Sequence, residues 1–223
     1  MGRDDSRCPH YRYENKAMRD GAACVAGIDE AGRGPLAGPV VAAAVIFDGK
    51  RLPKGVNDSK QLLPERREEL YAIIMERAEV GIGVVEVEEI DRINILQASL
   101  AAMIAAVGKL SRVPALALID GNIAPRLGCT TQCIIDGDAK SVSIAAASII
   151  AKVTRDRIMV ALDASFPHYG FASHKGYSTP EHFAALTRHG PCIHHRRSFA
   201  PVRELYEQPQ FVFEPNEAAL TAA

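Results

Sequence analysis

The stretch from Ala23 to Phe47, ACVAGIDEAGRGPLAGPVVAAAVIF, decides the fold. It opens with a short apolar run, Ala23 to Ile28, suited to a buried strand. A loop carrying Gly32, Gly34, Pro35, Gly38 and Pro39 follows, and Val40 to Phe47 is again rich in residues that favour strands. Neither run alternates apolar with polar residues. Strands that are apolar on both faces need helices on both sides of their sheet.

Working outward, Pro64 to Val80 reads as a helix. Pro stands at its start, Glu65 follows, and apolar residues recur at Leu70, Ile73 and Ile74. Gly81 to Val87 reads as a third strand, and the Ala-rich Leu96 to Leu110 as a second helix. Ala115 to Ile119 and Thr130 to Ile135 are short strands. Ser141 to Leu162 is a long helix and Pro180 to His189 a shorter one. The small side chains between Ser143 and Ala151 predict close packing of the long helix on the sheet. This order of elements gives an α/β or α+β layered domain with a central mixed sheet.

Hydrophobic residues make up 48% of the 223, enough for a full core without disulfides or metals. Trp is absent and aromatics are 6%, so the core must be built from Ala, Val, Ile and Leu. The 26 basic and 27 acidic residues give no global basic excess of the kind many nucleic-acid binders carry. Charge is instead segmented, with basic clusters at Arg66-Arg67, Lys152 to Arg157 and His194 to Arg197. The five Cys are odd in number and form no CxxC pair, which reads as reduced thiols in a cytoplasmic protein. Arg3 to Arg19 is charged and lacks the apolar stretch of a secretory signal, and the longest apolar runs are too short to cross a bilayer. Three segments are expected: an N-terminal arm over 1–22, one domain over 23–206, and a tail over 207–223.

Four acidic positions stand where strands end or loops meet helices. Asp29 and Glu30 close the first strand, Asp120 ends the strand before Gly121, and Asp138 precedes the long helix. Brought together, four carboxylates repel one another unless divalent cations occupy the site, and Mg²⁺ and Mn²⁺ favour such all-oxygen sites. The same residues also serve as turn residues and helix caps. Neighbouring strand residues point to opposite faces, so Asp29 and Glu30 share one site only if the strand distorts there.

The stretch Gly27-Ile28-Asp29-Glu30-Ala31-Gly32-Arg33-Gly34-Pro35-Leu36-Ala37-Gly38-Pro39-Val40 resembles the opening signature of ribonuclease HII, the bacterial type 2 ribonuclease H. Further resemblances follow in the same order. They are Asn57-Asp58-Ser59-Lys60-Gln61-Leu62, Ile119-Asp120-Gly121-Asn122, Gly137-Asp138-Ala139-Lys140-Ser141 running into Ser143 to Lys152 and Arg155-Asp156, His174-Lys175-Gly176-Tyr177, and His195-Arg196-Arg197-Ser198-Phe199. Together they span about residues 23 to 200.

The resemblance implies a ribonuclease H-like fold, with a five-stranded mixed sheet flanked by helices and a helical C-terminal extension. It implies catalysis by Asp29, Glu30, Asp120 and Asp138, the first three being the firmer ligands of Mn²⁺ or Mg²⁺, by a two-metal-ion mechanism. The implied reaction is endonucleolytic cleavage on the 5′ side of a ribonucleotide, in RNA–DNA hybrids and in duplex DNA with embedded ribonucleotides, leaving 5′-phosphate and 3′-hydroxyl ends. Gly32-Arg33-Gly34 suits reading of a 2′-hydroxyl, since glycines let backbone groups approach a sugar. Tyr177 matches the family's tyrosine, which stacks on the next sugar. Ser59, Lys60, Lys152 and Arg155 are candidates for holding phosphates, and His194 to Arg197 either meets the duplex or braces the C-terminal helix.

Two other readings compete. A type 3 ribonuclease H carries an additional N-terminal domain, whereas about 22 residues precede the first strand here. A non-catalytic nucleic-acid binder of the same fold has no need of all four carboxylates. Gln208 to Phe213 loosely resembles a sliding-clamp peptide, a feature that short tails often show by chance. No membrane contact is expected, and nothing in the sequence calls for more than a monomer.

Overall fold

The computed structural model describes residues 8–49 and 52–207. Its sheet has five strands: β1 (Val25–Ala31), β2 (Val40–Phe47), β3 (Ala78–Val85), β4 (Leu116–Asp120) and β5 (Thr130–Ile134). Their order is β3-β2-β1-β4-β5. β1, β2 and β3 form an antiparallel meander, while β4 and β5 run parallel to β1, so the sheet is mixed. The helices are α1 (Arg12–Arg19), α2 (Pro64–Arg77), α3 (Val87–Ile93), α4 (Ile95–Gly108), α5 (Val142–Ser165), α6 (Phe171–His174), α7 (Pro180–His189) and α8 (Ala200–Glu207).

The unbroken apolar run of β2 has the predicted cause. All eight of its residues are buried, Ala43, Val45 and Phe47 beneath α5 and α2, and Val40, Ala42 and Ala44 beneath α4. Leu70 and Ile74 of α2 are fully covered, and burial of such a side chain is worth about 1.5–3 kcal/mol. The small residues of α5 allow it to lie almost on the backbone of β1. A Cβ on Gly27 would stand 2.1 Å from the carbonyl carbon of Ser143, so only glycine fits there. α5 is capped by the Ser141 hydroxyl, which accepts from the Ile144 N–H at 3.2 Å.

Several boundaries differ from the sequence reading. β1 does not close at Glu30 but continues to Ala31, paired in regular register with Val41. β3 begins at Ala78, and Val87, read as the end of that strand, begins α3. The N-terminal segment contains a docked helix. Glu14 of α1 is fully buried and accepts hydrogen bonds from the Ser141 hydroxyl (2.6 Å) and the Ser143 N–H (3.0 Å), joining α1 to the start of α5. No helix among the described residues is long and apolar enough to cross a membrane. The segment Gln208 to Phe213 lies outside the described residues.

Candidate active site

β1 and β4 are parallel and their last paired residues are Ile28 and Ile119. Asp29 and Asp120 therefore emerge together at the same end of the sheet. β1 shows no distortion at this point, contrary to the condition that a shared site imposed. Asp29 pairs across from Ala43, on the face that α5 covers, and Glu30 from Ala42, on the face that α4 covers. The charge of Asp120 nevertheless acts on both carboxylates.

Electrostatics place Asp138 and Lys60 in the same group. Burial raises the Asp29 carboxyl well above its ordinary range, and the charges of Glu30 and Asp120 raise it further. Burial likewise raises Glu30, against the pull of Arg33, whose Nη1 lies 3.3 Å from Glu30 Oε1. Asp138, in the turn before α5, is pushed up to about 6 by burial and by Asp120. Lys60 is held above its ordinary value: burial opposes its charge, but Asp58, Asp138, Asp29 and Asp120 outweigh that cost.

Asp29 and Asp120 are each oriented by a backbone hydrogen bond. Asp29 Oδ1 accepts from the Glu30 N–H at 2.7 Å, and Asp120 Oδ1 from the Gly137 N–H at 2.7 Å. Among the described residues, no three His, Cys, Asp or Glu side chains are already gathered closely enough to hold an ion. The donor set nevertheless fits a hard divalent cation: carboxylate oxygens, largely buried and mutually repelling, meet among the described residues only Arg33 and Lys60 as compensating charges. The hollow lined by Glu30, Arg33, Asp120 and Asn122 measures about 90 Å³. That is small against the ~300–1,000 Å³ usual for small-molecule sites.

The loop between β1 and β2 is pinned from below by two buried arginines. Arg155 of α5 donates to the carbonyls of Pro39 (2.9 Å), Ala37 (3.0 Å) and Lys175 (3.0 Å). Arg196 donates to the carbonyls of Gly32 (2.6 Å), Arg33 (3.0 Å) and Gly38 (2.8 and 3.0 Å). Both are fully buried. Arg155 is thus not a phosphate ligand; its guanidinium is consumed by backbone carbonyls. Arg196 answers the choice left open for His194 to Arg197 in favour of bracing, and what it braces is the loop.

The glycines of this loop differ. Gly32 is buried at φ +98°, and a Cβ there would lie 2.2 Å from Arg155 Nε, so the fold itself requires glycine. Gly34 is exposed, and a Cβ would meet nothing within 4 Å. Ser59 is buried, with its hydroxyl 3.0 Å from that of Ser148, whose side chain favours the ionised form of Asp29 against the effect of burial. In this structure its side chain is turned to Ser148 and away from solvent. Lys152 is paired with Asp156 at 2.7 Å. Tyr177 is 42% exposed, close to both Lys152 and Arg155, and the Leu36 N–H donates to the carbonyl of its neighbour Gly176 at 2.8 Å. The glycine loop and the tyrosine are therefore joined. Sequence reasoning missed Ser148, hidden in a helix of small residues, and did not foresee that Arg196 braces the β1–β2 loop rather than the C-terminal helix.

The family model "Ribonuclease HII" matches residues 26–202. A ribonuclease HII of Parvibaculum lavamentivorans is 58% identical over 200 residues, covering 88% of this chain and 73% of the relative. Among solved structures, the ribonuclease H2 from Pyrococcus horikoshii OT3 is 30% identical with a TM-score of 0.70, covering 82% of this chain and 97% of that one. The RNase HII of Archaeoglobus fulgidus, solved in a complex with PCNA, is 30% identical with a TM-score of 0.67, covering 78% and 93%.

Proposed function

The chain belongs to the ribonuclease HII family, and from that premise we propose that Asp29, Glu30, Asp120 and Asp138 carry out hydrolysis of the phosphodiester bond on the 5′ side of a ribonucleotide paired to DNA. The chain is a ribonuclease H, an endonuclease dependent on divalent metal. The observation that carries the residue assignment is the meeting of Asp29 and Asp120 at one end of parallel strands, where burial and like charge raise Asp29.

Asp29, Glu30 and Asp120 would hold Mn²⁺ or Mg²⁺, with Asp138 at the margin. Bound divalent cations supply a lowered pKa for the attacking water and charge relief at the departing 3′ oxygen. Ser148, backed by Ser59, holds Asp29 in place, and the Gly137 N–H holds Asp120. Lys60 offers a cation to the scissile phosphate. The backbone of Arg33 and Gly34 reads the 2′-hydroxyl, and Tyr177 stacks on the sugar that follows, where a second 2′-hydroxyl fits poorly. Gly34 supports this reading because the protein itself leaves room for a side chain there.

Such an enzyme removes misincorporated ribonucleotides and RNA primers. The 23–206 segment serves as the catalytic domain and the N-terminal segment as its brace. A cytoplasmic monomer with a weak sliding-clamp contact through Gln208 to Phe213 completes the proposal. The test is an end-labelled duplex with one ribonucleotide. A nick immediately 5′ of it, with 5′-phosphate and 3′-hydroxyl ends and an intact all-DNA control, is expected. A nick on the 3′ side, or a 2′,3′-cyclic end, would refute the mechanism.

A further inference from the structure

Beneath Tyr177 three imidazoles pack together. His174 stacks on His182 with ring centroids 4.3 Å apart, and Tyr169 and Phe171 close over His195. His182 and His195 are 0% and 1% exposed. None of them belongs to the carboxylate cluster.

The fixed backbone donors determine where each ring proton lies. The Cys192 N–H donates to His195 Nδ1 at 2.9 Å, so that nitrogen carries a lone pair and the ring proton sits on Nε2. His195 Nε2 lies 3.0 Å from His182 Nε2, which must then accept. The His182 proton is left on Nδ1, 2.8 Å from the carbonyl oxygen of Tyr177. Hydrogen bonds thus run one way: Cys192 to His195 to His182 to Tyr177. A second branch is set in the same manner. The Gly176 N–H donates to His174 Nδ1 at 3.1 Å, which directs His174 Nε2–H at the Tyr169 carbonyl, 2.6 Å away. An added proton at any accepting nitrogen would set two donors face to face. Burial agrees, lowering His182 to about 4 and His195 to about 3.

Tyr177 is held by its backbone while its ring faces solvent. Its N–H donates to the His174 carbonyl at 2.9 Å and its carbonyl receives His182. Lys175 (φ 53°) and Gly176 (φ 82°) ahead of it are both left-handed, so the loop depends on such outside support.

We propose that His182 and His195 are positioning residues whose one-way hydrogen-bond chain fixes Tyr177 and so sets the enzyme's preference for a deoxynucleotide after the ribonucleotide. This rests on the stacking role given to Tyr177 above.

The experiment compares kcat/KM on two duplexes, one with the target ribonucleotide followed by a deoxynucleotide and one with it followed by a ribonucleotide. The ratio is the readout, with thermal melts run alongside. In His182→Asn the amide nitrogen replaces Nδ1 and retains the bond to Tyr177; in His182→Gln the amide occupies the Nε2 position and the bond is lost. His182→Gln is expected to lower the ratio about tenfold, the worth of one hydrogen bond, mainly through KM, while His182→Asn retains it. At His195 the order inverts, because Gln there supplies the Nε2 donor and Asn does not. Tyr177→Ala reduces the ratio to near unity. Equal ratios for Asn and Gln at both positions, with Tyr177→Ala still collapsing the ratio, would overturn the proposal and leave the stacking role intact. A wild-type ratio in Tyr177→Ala would overturn the stacking role itself.

Discussion

Arg196 reaches back across the chain to the carbonyl oxygen of Gly32, 2.6 Å from its Nη2, though 164 residues separate the two. Its guanidinium is fully buried beside that of Arg155, and burial together with Arg155 lowers it to about 9. Two adjacent buried cations persist because the loop between β1 and β2 turns its carbonyls inward as solvent. The loop's shape is thus set from the C-terminal segment.

Arg196→Lys retains charge but loses the planar fork that reaches several carbonyls at once. Each carbonyl left unpaired costs about 1–3 kcal/mol. We expect a melting temperature lower by several degrees and a KM for ribonucleotide-containing duplex raised about tenfold or more, with a smaller change in kcat. Steady-state kinetics and a thermal melt check this; unchanged KM in a folded variant would separate the loop from recognition.

Gly32→Ala and Gly34→Ala should part company. The first sets a Cβ against Arg155 at a left-handed backbone position and should destabilise by at least about 1–3 kcal/mol. The second meets nothing in the protein and should leave stability within about 0.5 kcal/mol, yet weaken binding of a ribonucleotide-containing duplex. Denaturant melts and binding titrations distinguish the two.

The carboxylate cluster predicts that metal stabilises the fold. An acid whose folded pKa is raised loses stability as pH rises through that value, since the folded state must then ionise where the unfolded state already has. Asp29 is such a group. In EDTA above neutral pH, Asp29→Asn should melt higher than wild type. Added Mn²⁺ should raise the wild-type melting temperature far more than that of the variant.

The buried histidines predict acid sensitivity. Their folded pKa values, about 4 and about 3, lie below the ordinary 6.5. As pH falls below 6.5 the unfolded chain takes up protons that the folded one refuses, so stability falls by about 1.4 kcal/mol per pH unit for each histidine until the folded pKa is reached. The raised acids act in the opposite sense over part of this range, so His182→Asn should flatten the wild-type slope between pH 6.5 and 4 in urea melts.

The strands were readable where local pattern and tertiary setting agree. β2 and α7 have the bounds that their sequences predict, because an unbroken apolar run and a Pro-initiated, Gly-terminated helix are both locally specified. The end of β1 was not, since Asp29 and Glu30 look like a strand terminus yet remain paired with Ala43 and Ala42. The carboxylates were legible as residue types at strand ends. Their supports were not: Ser148 reads as packing, Arg155 as a phosphate holder, Arg196 as one of a basic run that meets the duplex or braces the C-terminal helix, and His182 as unrelated to the site. Burial inverts the role of a polar side chain, and burial at a distance of 164 residues is not a local property.

The central claim is that the carboxylates at the ends of β1 and β4 perform the cut. Its most direct test is single-turnover cleavage of a duplex with one ribonucleotide, by wild type, Asp29→Asn and Asp120→Asn, in Mg²⁺, Mn²⁺ and EDTA. Wild type should nick 5′ of the ribonucleotide only with metal. Both variants should still bind the duplex but cleave it more than about a hundredfold more slowly, beyond the loss that removing an outer partner of a metal ligand brings. Near-wild-type cleavage by either folded variant would contradict the account.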